Sequence, residues 1–387
     1  MEVDFFETLA ATLREKGDAA AADQLIAELE QRKDYPALFY ALLVKKRLEL
    51  GVSPVPTEAA LALPESVHAQ YEEGIRLAAR RIGELFLQDR NLAQAWPYFR
   101  MIGESAPVIS ALDNYQLGAE EDAQPLVDLA FHQGLNPRKG FDWILDRFGI
   151  CSAITLASGQ DFADTAIRSY CIQKLVRALY DQLSERIAED VAAREGQRPV
   201  GCSLGELMAD RDWLFETDFA HVDVSHLQSV VQMSLALPAC DELHKARDLS
   251  NYGQRLAAHL RYAGEPPFEN FHEAHRYYLD ALLGERVDEA IAYFRDKLEA
   301  YEPDQIGSLP AEVLINLLVR VGRPGEAAQI ARRYLRPSEG MRGASPSLAE
   351  LCRQAGNYDA MIEASREQND PVHFLAGMLA QQPAQKV

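Results

Sequence analysis

Three glycines, Gly284, Gly322 and Gly356, lie 38 and 34 residues apart, and each opens the same small-then-large pattern. After Gly284 come Val287, Ala290, Phe294 and Leu298; after Gly322 come Pro324, Ala327 and Ala328; after Gly356 come Tyr358, Ala360, Met361 and Ile362. A small residue such as Ala290 lets two paired helices approach closely, and Phe294 and Leu298 then fill the groove between them. A chain punctuated this way folds as consecutive helical hairpins, each burying its apolar stripe on the next.

The same pattern marks the amino-terminal part. Gly17-Asp18-Ala19 opens a helix running to about Arg32, and Asp34, Tyr35 and Pro36 open the next, with Pro36 in the tolerated first turn. Leu92, Ala95 and Phe99 repeat the spacing of Val287, Ala290 and Phe294. On these residues the chain resembles the tetratricopeptide family over 1–105 and 265–382. Turn lengths vary, and the usual proline after the second helix is irregular. The resemblance implies an all-α fold, an α-solenoid whose concave groove takes a protein or peptide partner.

Three segments are expected: helical hairpins over 1–119, a non-repeat helical middle over 120–262, and tetratricopeptide-like repeats over 263–387. Residues 51–64 carry three prolines and read as a loop, and a second break falls at Gly196 to Gly201. In the middle, Asn136-Pro137 opens a helix with Phe141, Ile144, Leu145 and Phe148 on one stripe, ended by Gly149. From about 164 to 195 a long helix carries Ile172, Leu175, Val176, Leu179, Leu183, Ile187 and Val191 at three- and four-residue steps. Val222 to Val224 and Val108-Ile109 are too short for strands.

Composition narrows the function classes. Hydrophobic residues make up 48% of 387 residues, enough for a sizeable core. No apolar run is long enough to span a membrane. The amino terminus lacks a basic segment followed by an apolar one, so no secretory leader is expected. Five widely spaced cysteines without a CxxC point to a reducing cytoplasm and not to a disulfide framework. A formal charge of −20 repels phosphate backbones. The short basic runs Lys45 to Arg47, Arg76 with Arg80 and Arg81, and Arg332, Arg333 and Arg336 alternate with apolar residues as solvated helix faces do. No nucleic-acid partner is expected.

No P-loop, GxGxxG, HExxH, GxSxG or EF-hand signature is present. The best polar constellation is His221, Asp223 and His226. If 221–223 is extended, His221 and Asp223 project from one side, and His226 sits in the first turn of the following helix. Two imidazoles and a carboxylate form the donor set of an iron or zinc site, a divalent metal that activates water or binds oxygen. Glu242 and His244, on the helix after Pro238, and the outlying His272 and His132 are candidates for second ligands or a pocket. The same residues read equally as a helix start, with Asp223 or Ser225 as the N-cap and the histidines flanking it. His275 shares a stripe with Phe271, Tyr278, Leu279 and Leu282 and reads as a packed, hydrogen-bonded histidine. Cys151, after Gly149, falls near a helix amino terminus, where a thiol pKa drops; burial as an inert small hydrophobe is the competing reading.

Three functions compete: a scaffold for a protein or peptide partner, a metal-dependent enzyme around His221, Asp223 and His226, and a small-molecule sensor.

Overall fold

Gly284, Gly322 and Gly356 stand where the backbone turns into the left-handed region: φ is 77° at Gly284, 77° at Gly322 and 64° at Gly356. A side chain there would be strained, so glycine ends one helix and lets the next begin two or three residues later. The amino-terminal signature is built likewise, with Gly17 at φ 85°.

The structure is a computed structural model describing residues 2–55, 63–216, 218–300, 307–335 and 345–381. Among these residues there is no strand, only an isolated bridge between Ala263 and Asn270; the fold is all-α. Part of the proline-rich loop expected over 51–64 lies outside the described residues. Among them no helix is long and apolar enough to cross a membrane.

The chain divides into two compact units, Met1–Phe148 and Gly149–Val387. In the first, α1 (Glu2–Lys16), α2 (Asp18–Gln31), α3 (Tyr35–Glu49), α4 (His68–Gln88) and α5 (Leu92–Met101) each pack on the next. They are followed by α6 (Ala106–Asn114), the short α7 (Gln124–Val127), a π-turn over Asp128–His132, and α8 (Pro137–Gly159). The unit boundary coincides with a break inside α8, where Gly149 leaves helical geometry at φ 78° and ψ 176°.

The second unit contains the long α9 (Thr165–Glu195), α10 (Leu204–Met208), α11 (Val224–Ser234), α12 (Glu242–Arg255), α13 (Phe271–Leu282) and α14 (Val287–Glu299). It continues with α15 (Leu309–Arg320), α16 (Pro324–Tyr334), α17 (Leu348–Ala355), α18 (Asp359–Glu367) and α19 (Pro371–Ala380). Asp164 caps α9, accepting from the Ala166 amide at 2.8 Å, and left-handed Gly196 ends it. Its 31 residues span ~45 Å. The stripe read from the sequence is buried, and α10, α11 and α12 pack against this helix.

From α11 onward each helix packs on its chain neighbours; α13 also touches α15, and α16 touches α18. Their common core joins Tyr278, Ala290, Phe294, Leu298, Leu314, Ile315, Leu318, Ala327, Ala328, Ala331 and Leu351. Burying a side chain such as Phe294 contributes about 2–3 kcal/mol. The alanines opposite keep the helices close enough for that burial.

Candidate functional site

His221 is the most constrained of the sequence candidates. It is only 4% exposed, in the segment between the Asp212–Phe215 turn and α11. Its backbone N–H donates to the Tyr252 hydroxyl at 2.7 Å, and its Nδ1 lies 3.0 Å from the same oxygen. Nε2 lies 3.1 Å from the Asp190 carboxylate, and the Arg186 guanidinium donates to the His221 carbonyl at 2.5 Å. One hydrogen arrangement satisfies all of these. Tyr252 accepts from the amide and donates to Nδ1, so Nε2 carries the proton and donates to Asp190. Burial pushes the imidazole below its ordinary pKa, with Asp190 partly opposing, and burial pushes Tyr252 up to about 12. A neutral histidine thus ties α9, through Asp190 and Arg186, to α12, through Tyr252.

The structure gives the other candidates separate tasks. Asp223 is the N-cap of α11, accepting from the amides of Ser225 at 2.8 Å and His226 at 3.3 Å and from the Ser225 hydroxyl at 2.5 Å. The Ser225 donors hold its carboxyl below the usual range. His226 is half-buried in the first turn that Asp223 caps. Glu242 is buried and pairs with Arg177, whose Nε lies 2.6 Å away; burial works to raise its pKa, and the guanidinium outweighs it. His244 is exposed. His132 is exposed on the π-turn of the first unit, edge-on to Phe131.

His272, a candidate for a second ligand or a pocket, is instead a core residue: it is 3% exposed, its ring lies against Gly253 of α12, and its Nδ1 has no hydrogen-bond partner among the described residues.

Among the described residues no three His, Cys, Asp or Glu side chains are grouped as metal ligands would be. The donor set does not fit iron or zinc, because both ring nitrogens of His221 and the carboxylate of Asp223 already hold structural hydrogen bonds. Cys151 is exposed, which contradicts its reading as a buried, inert small hydrophobe. It lines an open cleft with Ser152, Thr155, Leu156, Gly159 and Gln160, and none of these is a base that would activate a thiol.

A different site emerges in the second unit. A pocket of about 250 Å³ lies among α11, the 262–268 loop, α13 and α15. Its apolar walls are Tyr262, Phe268, Phe271, Tyr278 and Phe294, with Leu309 and Val313 contributed by α15. Tyr262 stands edge-on to Phe271 at 5.4 Å, and Phe268 edge-on to Phe294 at 5.6 Å. The polar lining is Gln228, Gln232, Glu265 and His275. His275 stacks on Phe271 with ring centroids 3.8 Å apart, and burial pushes its pKa to about 4. It is therefore neutral, and Nδ1–H donates to the Phe271 carbonyl at 2.7 Å. Nε2 is then an acceptor, and with the Gln232 Oε1 2.9 Å from it the amide must turn over for its NH₂ to donate to the ring. Tyr278 is 6% exposed.

The sequence pattern gave Phe271, Tyr278 and His275 their packing roles, and His275 is indeed hydrogen-bonded in that layer. Gln228 and Gln232 went unnoticed. Their signal is a four-residue spacing on α11, one polar stripe beside the buried Val230 and Val231. Comparison with family models, curated proteins and solved structures returns no match for this chain.

Proposed function

We propose that this chain is a tetratricopeptide-like helical-repeat protein that binds a protein or peptide partner on the face where α11, α13 and α15 meet. The repeat reading draws on the left-handed glycines before α14, α16 and α18 and on the next-but-one packing of α13 on α15 and of α16 on α18. In an α-solenoid those next-but-one contacts stack like helices on one surface, the surface such arrays present to partners. The observation that carries the binding reading is the aromatic-walled pocket on that face, with Leu309 49% exposed beside it.

Size favours a side chain over a cofactor, because about 250 Å³ falls below the ~300–1,000 Å³ of small-molecule pockets. Charge favours a basic partner and disfavours nucleic acid. The chain carries −20, and each basic run has a residue paired internally: Arg81 meets Glu30 at 2.5 Å, Lys45 meets Asp23 at 2.6 Å, and Arg332 meets Glu367 at 2.6 Å. Panning a phage-displayed random peptide library against the full chain tests the reading. Peptides that bind the native chain but not Ala274→Trp, which fills the pocket, support it. Recovery only of peptides indifferent to that substitution contradicts it.

A further inference from the structure

We infer that α19 pairs with α19 of a second copy of this chain, antiparallel about a two-fold axis beside Leu375. The helix reads Pro-Val-His-Phe-Leu-Ala-Gly-Met-Leu-Ala, with no acid, lysine or arginine, in a chain of 59 acidic and 39 basic side chains. Asp370 caps it, accepting from the Val372 amide at 3.0 Å and the His373 amide at 3.1 Å. Its inner face sits close on α18, where a Cβ added at Gly377 would lie 2.7 Å from the Ile362 side chain. That seating leaves Val372, Leu375, Met378 and Leu379 outside, 72%, 57%, 42% and 57% exposed. At three- and four-residue steps the four form one stripe along the helix. Apolar side chains exposed singly need no explanation, but a contiguous stripe does.

Charge selects the occupant. Helices that lie on membranes carry lysine and arginine along their polar face, and α19 has neither. A basic peptide would be drawn by free carboxylates beside the stripe. Asp370 is instead paired with His373 at 2.6 Å, and Glu363 and Glu367 are both paired with Arg332. A second copy needs no such charges. Copies of a chain at −20 repel one another, and α19 is a face on which they meet without opposing like charges. Two-fold pairing also matches the stripe to itself. Val372 meets the partner's Leu379, Leu375 faces the partner's Leu375 across the axis, and Ala376 and Ala380 leave room for the larger side chains. Antiparallel helices set opposite dipole ends together. The exposed Phe6 and Leu13 of α1, by contrast, stand beside Glu7, Arg14 and Glu15. Size sets the strength: ten residues span ~15 Å, short of the ~800 Å² that each partner gives to a stable dimer, so association is micromolar or weaker.

Sedimentation velocity of the full chain from about 1 to about 200 µM, which brackets that affinity, should show a reversible monomer–dimer equilibrium. Leu375→Lys and Leu375→Glu, both on an exposed side chain, should each weaken dimerisation by about tenfold or more and leave the melting temperature unchanged. Mixed together, the two variants should associate more tightly than either alone, because lysine then faces glutamate across the axis. Should the Leu375 variants lose stability, Val372→Lys mixed with Leu379→Glu makes the same distinction. A monomer throughout the range, a dimer indifferent to these substitutions, a mixture no tighter than its components, or growth to larger species overturns the inference.

Discussion

Three histidines in the second unit are held neutral by different surroundings, and each sets a measurable property. His221 satisfies two elements at once, so His221→Ala removes the imidazole that accepts from the buried Tyr252 hydroxyl and donates to the Asp190 carboxylate. A loss of about 2–4 kcal/mol is expected by urea unfolding; a change under ~0.5 kcal/mol contradicts the strut. His272 and His275 are pushed down to about 4, chiefly by burial. The unfolded chain, with histidines near ~6.5, takes up these protons first as pH falls. Stability is therefore full above about pH 7 and declines through the window from 6.5 to 4, by up to roughly 3 kcal/mol per histidine. Thermal melts should fall along this limb, and His272→Asn should make it shallower; a flat acid limb contradicts the burial. The metal expectation is testable at this scale too. With His221 and Asp223 held by structural hydrogen bonds, chain purified without a histidine tag should carry less than stoichiometric zinc or iron, and a chelator should leave its melting temperature unchanged. Stoichiometric metal lost together with stability contradicts this.

Helix ends were legible in the residues because they are set locally. Asp34, Asn91 and Asp164 cap helices by accepting amides two or three residues on, and Gly149 and Gly196 break or end them through positive φ. What lies between helices was not legible. The approach of α12 to α13 depends on Gly253, where an added Cβ would lie 2.4 Å from the His272 ring. Nothing in the spacing of either helix announces that contact, which buries His272 in the core. In an isolated helix Gly→Ala gains roughly 1 kcal/mol. Here Gly253→Ala is expected to lose about 1–3 kcal/mol by overpacking, and His272→Ala in the same chain should recover part of the loss. A stabilising Gly253→Ala contradicts the close approach. The short α7 and α10 and the π-turn were missed for a related reason, since elements of four or five residues carry too little periodicity to register.

At the scale of the whole molecule, the helical class was evident from period alone, whereas the candidate site was not. The polar cluster His221, Asp223 and His226 looked like chemistry because sequence proximity cannot distinguish side chains that converge from side chains with separate structural partners. The pocket draws on α11, the 262–268 loop, α13, α14 and α15, pieces up to 85 residues apart from Gln228 to Val313. It exists only once the helices stack, so no single segment could reveal it. Methyl-labelled NMR of the full chain titrated with a pocket-dependent peptide tests that claim most directly. Leu235, Leu309 and Val313 methyl resonances should shift together and saturate, while those of Leu38 and Ile82 in the first unit stay in place. Saturable shifts confined to other methyls, with Leu235, Leu309 and Val313 unmoved, would contradict binding on this face.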